Sequence, residues 1–150
     1  MNEQDNNVSF FRFEDLRIYA KAMDYIVWLY SEISPMPDDH ALNVLKDSFL
    51  KSAQNIALNT AEGSSRNKTQ FLYYLKMAKS SVRECVVFTE IMTRKQLFNE
   101  DAVNYSRNQL MELTKMIGSL IASLQRGTGT PTRYDRDEDL LDPMPDINNF

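Results

Sequence analysis

The sequence contains few of the residues from which catalytic and metal sites are usually built, since it has one histidine, His40, and one cysteine, Cys85, in 150 residues. A structural zinc site takes about four nitrogen or sulfur ligands, and a di-iron helical bundle takes Glu-x-x-His pairs, which do not occur here. A Ser-His-Asp triad would need His40 beside both partners, and no spacing indicates that. We therefore expect no catalytic residue, no metal and no cofactor. We interpret His40 as solvated and Cys85 as a small core residue.

Glycine and proline are also scarce. The four glycines form no phosphate-binding loop. The five prolines are at positions 35, 37, 131, 143 and 145, so residues 38–123 contain none. Because proline interrupts helices, its absence permits long helices there.

Long apolar runs are missing as well. No run approaches the roughly 18 residues of a membrane span, and residues 1–9 are polar, without the apolar core of a signal peptide. A single cysteine forms no intramolecular disulfide, which fits a reducing compartment. We expect a cytoplasmic protein without a membrane partner or a small-molecule substrate.

The net charge of −4 is unevenly distributed. Residues 127–150 carry six acidic side chains and two arginines, whereas residues 1–126 hold 15 basic and 15 acidic side chains. A neutral body with an acidic tail gives no strong electrostatic reason to expect a nucleic-acid partner.

Apolar and small residues recur at alternating steps of three and four in four blocks, the period of a helix packed along a seam. The blocks are Leu16, Tyr19, Met23, Ile26, Tyr30 and Ile33; Leu42, Leu45, Phe49, Ser52, Ile56 and Asn59; Phe71, Leu75, Ala78, Val82, Cys85, Thr89 and Met92; and Val103, Ser106, Leu110, Leu113, Ile117, Leu120 and Leu124. The second block also carries alanine at positions 53, 57 and 61, which permits close helix packing.

Helix boundaries follow from local signals. Gly63 ends the second helix and Gly127 the fourth, and Asn67 and Asn99 can cap the third and fourth helices. With short connections, the pattern predicts an all-α, antiparallel up-down-up-down four-helix bundle with a C-terminal tail. We divide the chain into a flexible N-terminus (1–12), the bundle (13–126) and an acidic tail (127–150). The tail is expected to be flexible, although its apolar residues could dock in a groove of the same or a neighbouring subunit.

The third helix carries a second apolar line. Its members are Tyr74, Met77, Ser81, Phe88 and Ile91. Two seams on one helix indicate either a wide core face or a subunit interface.

The turn between the second and third helices reads Asn-Thr-Ala-Glu-Gly-Ser-Ser-Arg over residues 59–66. This resembles the N-I-A-E-G-x-x-R signature of the 23S rRNA intervening-sequence family of four-helix bundle proteins. Further residues match that family's pattern: Phe13, Leu16 and Ala22 in the first helix, and Phe71, Leu75, Ala78, Ser81 and Glu84 in the third. The resemblance covers roughly residues 13–125.

The chain departs from the family pattern at several positions. Thr60 replaces isoleucine, Ser80 replaces glycine, and Leu50 and Lys51 stand where two arginines are usual. The resemblance implies a homopentamer of four-helix protomers without enzymatic activity. Some similar proteins look like accessory proteins of diversity-generating retroelements, which associate with a reverse transcriptase and with nucleic acid.

Four charged residues near the signature are expected to have structural roles. Glu84 lies within the second apolar line, where a carboxylate is costly unless it is paired. Folding about Gly63 brings it level with residues 47–51, and we predict a Glu84–Lys51 contact. Glu62 and Arg66 flank the turn and are predicted to pair across it, with Asn59 bonded to backbone nearby.

Five basic side chains form a stripe on the third helix. At about 100° per residue they fall within an arc of about 80°. They are Lys68, Lys76, Lys79, Arg83 and Arg94, called the basic stripe below. The stripe is either a solvated face or a set of phosphate contacts. We therefore keep two hypotheses: a non-enzymatic homo-oligomeric assembly module, and a nucleic-acid-binding accessory protein; we disfavour an enzyme.

Overall fold

The computed structural model describes residues 10–127, which form four long helices preceded by a single 3-10 turn, Arg12–Asp15. The helices are α1 (Arg17–Ile33), α2 (His40–Ser64), α3 (Lys68–Arg94) and α4 (Glu100–Arg126). No strand occurs among the described residues. The predicted all-α four-helix fold is confirmed. Residues 1–9 and 128–150 lie outside this described part, so the predictions made for the N-terminal segment and the tail fall almost entirely beyond it.

Three helices begin at a side-chain cap. The backbone N–H groups of Leu42 and Gln70 donate to the side chains of Asp39 and Asn67, each at 3.0 Å, and Ala102 donates to Asn99 at 2.8 Å. Each cap satisfies an N–H group that has no partner inside its helix. The caps at residues 67 and 99 were predicted from the sequence, and the cap at residue 39 was missed.

The stop that was predicted at Gly63 is displaced by one residue. Helix α2 continues through Gly63 and ends at Ser64. Helix α3 ends in a Schellman arrangement, in which Gln96 and Leu97 donate to the carbonyls of Thr93 and Met92 at 3.0 and 2.9 Å. Gln96 has a φ of 58°, the left-handed conformation that usually selects glycine.

Contacts between neighbouring helices join residues whose numbers rise along one helix and fall along the other. The contacts are Lys21–Glu112 and Tyr25–Ser106 between α1 and α4; Phe49–Phe88, Ser52–Glu84 and Gly63–Tyr74 between α2 and α3; and Thr89–Ser106 and Lys68–Gly127 between α3 and α4. In each of these three pairs the two helices therefore run in opposite directions. Each helix packs against its chain neighbours, and α1 also packs against α4.

The core lies along the bundle axis and uses most of the predicted seams of α2, α3 and α4. The seam predicted for α1 is partly wrong, because Met23 and Tyr30 are 37% and 47% exposed. The residues of α1 that are buried are Ile18, Ala22, Tyr25, Ile26, Leu29 and Ile33. Helix α1 has two adjacent apolar lines, and the one that carries Tyr25 turns inward because its hydroxyl finds a partner in the core.

Candidate interaction surfaces

The signature turn between α2 and α3 is held by an ion pair and by serine hydroxyls. Arg66 donates through Nε and Nη2 to Oε1 of Glu62 at 3.1 and 2.5 Å. Both side chains are about half-exposed, so the pair adds little to stability while it orders the turn. Ser64 and Ser65 donate to the carbonyls of residues 61 and 62 at 2.8 and 2.9 Å.

Asn59 does not take the role expected of it. Among the described residues, the hydrogen bonds of the turn come from Arg66, from the serine hydroxyls and from backbone groups, and none involves the Asn59 amide. Asn59 lies about one helical turn before Gly63 on α2, too far back for its short side chain to reach the connection. The prediction of a backbone bond from Asn59 at the turn is therefore wrong.

Gly63 is required by close packing of two helices. A Cβ at this position would lie 2.6 Å from Cβ of Tyr74 and 2.9 Å from Cδ2 of Phe71. The first contact is too short for any real pair of such atoms, and the Cβ of Tyr74 is fixed to the backbone. Glycine therefore sets the distance between α2 and α3 just before the turn.

The carboxylate of Glu84 bonds to Ser52. The Ser52 hydroxyl donates to Oε2 of Glu84 at 2.6 Å. Ser52 is 5% exposed and faces α3, whereas Lys51 is about 100° away around α2 and is exposed. No ion pair within residues 10–127 joins Glu84 to Lys51, so that predicted contact is wrong.

A chain of buried hydroxyl groups crosses the core. Tyr25 Oη is 2.8 Å from Ser106 Oγ, which is 2.7 Å from Thr89 Oγ1. Thr89 donates to the carbonyl of Cys85 at 2.8 Å, and a carbonyl can only accept. Because each hydroxyl has one proton, Ser106 must donate to Thr89 and Tyr25 must donate to Ser106. The sequence contained a signal for this hydroxyl chain, because Ser106 and Thr89 both lie on predicted apolar seams. The sequence analysis did not predict a hydrogen bond between them.

Cys85 is buried in the core, as the sequence predicts. Burial raises the pKa of its thiol well above the ordinary value, and the nearby Glu84 acts in the same direction. A thiol with a raised pKa and no exposure is a poor nucleophile. In the part of the chain that the structure describes, no three His, Cys, Asp or Glu residues are grouped to hold a metal ion.

The basic stripe lies on the side of α3 that adjoins α4. At its start, Lys68 Nζ is 3.4 Å from the position a Cβ would take on Gly127, at the end of α4. Lys76 and Lys79 follow and are half-buried. The structure thus brings the first members of the stripe to the junction of two helices.

The far end of the stripe is partly neutralised. Arg83 donates to Ser80 Oγ at 3.0 Å, and Arg94 donates from Nε to Oε1 of Glu90 at 2.9 Å. Near this end a recess of about 450 Å³ lies between α3 and α4, lined by three apolar residues, Glu90 and Arg94 of α3 and by Arg107 of α4. Arg107 extends the positive charge from α3 onto α4.

An apolar groove between α1 and α2, called the α1/α2 groove below, was not identified from the sequence. It encloses about 390 Å³ and is lined by Phe13, Tyr19, Met23, Ile26, Gln54, Ala57, Leu58 and Ala61. Leu58 is 61% exposed at its rim. The sequence did contain a signal for this groove. Helix α1 has two adjacent apolar lines, and the line that includes Met23 and Tyr30 is left exposed when the other is buried.

Aromatic side chains extend the α1/α2 groove towards the N-terminus. Phe10 is 91% exposed and Phe11 56% exposed. Their rings are 5.1 Å apart, and Phe11 is 5.9 Å from Phe13, which lines the groove. A second recess of about 490 Å³ shares Phe13 and Leu58 with the groove and reaches the signature turn. Contiguous exposed apolar surface of this kind is typical of interaction sites.

Comparison with protein families decides the classification. The profile of the family described as 23S rRNA-intervening sequence protein matches residues 14–119. The chain belongs to the 23S rRNA-intervening sequence protein family. A crystal structure of a protein of unknown function, from the S23 ribosomal protein family of Bacteroides thetaiotaomicron VPI-5482, is 18% identical with a TM-score of 0.63. The match covers 70% of this chain and 95% of that chain, and at this identity it shows the fold alone.

No curated protein matches this chain. Within its described residues, no helix is long and apolar enough to cross a membrane. The family resemblance inferred from the signature is confirmed by the matched range.

Proposed function

We propose that this chain is a non-enzymatic assembly module that forms a homo-oligomer in the cytoplasm through the α1/α2 groove. The observation that carries the proposal is the apolar surface formed by that groove and by the exposed rings of Phe10 and Phe11. Burial of such surface stabilises association by about 25 cal/mol per Å² before the costs of binding.

A second copy of the chain fits this surface better than an acidic or basic partner does. The groove is lined almost entirely by apolar side chains, with Gln54 as its one amide. Residues 1–126 have no net charge, so two bodies do not repel each other at long range. The family resemblance implies that five chains associate.

The test places a charge at the rim of the groove. We expect Leu58→Glu to lower the mass measured by light scattering at micromolar concentration, because a carboxylate would be buried without a partner. Met111→Glu is the matched control, since Met111 is 50% exposed on α4. An unchanged mass for Leu58→Glu, or an equal loss of mass in the control, would contradict the assignment of the α1/α2 groove.

The basic stripe favours a second function, in which the protein binds nucleic acid as an accessory to another protein. We expect binding to RNA or DNA oligonucleotides that weakens with salt, because each phosphate contact releases counterions. Changing Lys76, Lys79 and Arg83 to Glu should abolish it. An affinity that is unchanged in this variant would exclude the stripe as the nucleic-acid site.

A further inference from the structure

We propose that the α1/α2 groove of one chain binds the outer face of α3 from a second copy, so that copies join groove to helix and not groove to groove. The inference rests on the proposed homo-oligomer and names the surface that fills its groove. Such a contact is heterologous, because the two copies contribute different surfaces to it.

Large apolar side chains are exposed on two faces of the bundle. Of the twelve within residues 10–127, seven lie in the stretch from Phe10 to Leu58, four lie on α3 and one lies on α4. The four on α3 are 37–60% exposed, and they are Tyr73, Met77, Val87 and Ile91. The α1/α2 groove therefore accounts for only one of two exposed apolar surfaces.

The exposed residues of α3 follow the spacing of a helix that packs against another helix. Successive steps of four and three residues define a line that we call the α3 seam, which consists of Tyr73, Met77, Ser80, Glu84, Val87 and Ile91. At about 100° per residue these positions fall within an arc of about 80°. Alternating steps of this kind form the contact line of a coiled coil. None of the six residues is buried within the described bundle, so the seam is open to a second molecule.

The α3 seam and the α1/α2 groove belong to different sides of the bundle. Helices α1 and α3 each pack against both α2 and α4, so they occupy opposite corners of the bundle with the core between them. The seam of a chain therefore cannot fill the groove of the same chain. A groove-to-groove contact between two copies would cover one apolar surface, whereas a groove-to-seam contact covers both.

The two surfaces agree in length. The rim of the groove continues along α2 in steps of three and four residues, and this α2 line consists of Val44, Asp47, Lys51, Gln54, Leu58 and Ala61. Its two exposed apolar residues, Val44 and Leu58, are 14 positions apart. On the α3 seam, Tyr73 and Val87 are also 14 positions apart, which is about 21 Å along a helix. Apolar contacts can therefore form at both ends of the two lines at once.

Polar residues occupy the middle of both lines and carry charges of both signs. In the α3 seam the middle includes Glu84, and Arg83 lies alongside it and donates to Ser80 Oγ at 3.0 Å. In the α2 line the middle includes Asp47 and Lys51, which are exposed and take part in no ion pair within the described bundle. Each middle can therefore offer a cation to the anion of the other.

The net charges of the two surfaces are also complementary. Residues 10–66 hold six basic and eight acidic side chains, whereas residues 68–94, which form α3, hold five basic and two acidic ones. A groove-to-seam contact brings a net negative segment against a net positive one, which favours association. A seam-to-seam contact would bring two positive helices together. The charges therefore select the groove of a second copy as the partner of the α3 seam.

A groove-to-seam contact determines how copies add to one another. When two copies join, one groove and one seam remain unused, and further copies can bind there until the assembly closes as a ring. Each chain thus needs both surfaces to assemble with identical copies. The two surfaces can therefore be inactivated on separate chains.

The seam is tested in the full chain by a double substitution, Tyr73→Glu with Val87→Glu, called the seam variant below. We expect light scattering at micromolar concentration to give the mass of one chain, because two carboxylates would be buried in the contact without partners. Both positions are exposed in the bundle, so the helix content measured by circular dichroism should not change. Met111→Glu on α4 is the matched control. If the seam variant keeps the wild-type mass while Leu58→Glu lowers it, the groove still forms the homo-oligomer and the seam assignment fails.

Mixing the seam variant with Leu58→Glu distinguishes a heterologous contact from a two-fold one. The seam variant keeps an intact groove and Leu58→Glu keeps an intact seam, so one groove-to-seam contact can form between them. We expect sedimentation of the mixture to show a species of two chains that neither variant forms alone. A chain with all three substitutions is the control and should keep the mass of one chain when it is mixed with either variant. The absence of a two-chain species from the first mixture, or its presence in the control, would overturn the inference.

Discussion

The hydroxyl chain in the core shows how single residues determine the packing of this bundle. Tyr25, Ser106 and Thr89 come from α1, α4 and α3, and each is fully buried. No buried side-chain nitrogen or oxygen in residues 10–127 lacks a partner. Because a buried polar group is costly when unpaired, the chain fixes the relative register of three helices more strictly than apolar contacts do.

The direction of proton donation predicts an asymmetry between two substitutions. Ser106→Ala leaves the Tyr25 hydroxyl without an acceptor and should lower the free energy of unfolding by about 1–3 kcal/mol. Tyr25→Phe removes the first donor, leaves no donor unpaired and should cost less. Chemical denaturation of the two variants measures both values. Equal losses would contradict the assigned direction.

Two buried ionisable groups predict lower stability at alkaline pH. Burial raises the pKa of both Cys85 and Tyr25. In the folded state they keep their protons, while the unfolded chain releases them near the ordinary values of 9.0 and 10.0. Their contribution to the free energy of unfolding is complete below those values. Above them it is lost as the pH rises, by about 1.4 kcal/mol per pH unit for each group.

The contribution of the thiol is isolated by Cys85→Ala. Between pH 8 and 10.5, the stability difference between wild type and this variant should narrow by about 2 kcal/mol. Denaturant titrations at several pH values measure it. A constant difference would mean that the thiol ionises equally in the folded and unfolded chains.

At the scale of secondary structure, the packing of α2 against α3 depends on Gly63. Gly63→Ala should lower the free energy of unfolding by about 1–3 kcal/mol, because its Cβ would overlap Cβ of Tyr74 and force the helices apart. Gly118→Ala is the matched control, since no atom lies near its Cβ position. We expect that control to be neutral or stabilising. A similar loss in both variants would contradict the close-packing role.

The turn after α3 offers a stabilising substitution. Gln96 is in the left-handed conformation, which costs a non-glycine residue about 1–2 kcal/mol. Gln96→Gly should therefore raise the melting temperature, with a gain of up to about 1 kcal/mol after the added entropy of the unfolded chain. Calorimetry of the two proteins provides the comparison. A lower melting temperature would show that the glutamine makes compensating contacts.

The sequence was sufficient to predict the secondary structure. Periodicity located all four helices, and Asn67 and Asn99 marked two of their starts. It misassigned the inward face of α1, because two adjacent lines on that helix were equally apolar and only a polar contact with Ser106 distinguishes them. The sequence also placed Lys51 opposite Glu84, whereas the partner in the structure is the next residue, Ser52. The register of two helices counted from a turn is accurate only to about one residue.

On the scale of the whole molecule, two surfaces differ in character. The α1/α2 groove is apolar, and the junction of α3 and α4 is basic. The sequence predicted the basic stripe because charge and spacing alone define it. The groove could not be found in that way, because it depends on how far apart α1 and α2 lie and on which side chains remain at its rim.

The central claim is that the protein assembles with copies of itself through an apolar surface. Sedimentation equilibrium of the wild-type chain, over a micromolar concentration series at 0.15 M and 1 M salt, tests it most directly. The account predicts a mass several times the 17.4 kDa of one chain, and it should be unaffected or strengthened at high salt because apolar burial is not screened. A mass of one chain at every concentration would contradict it.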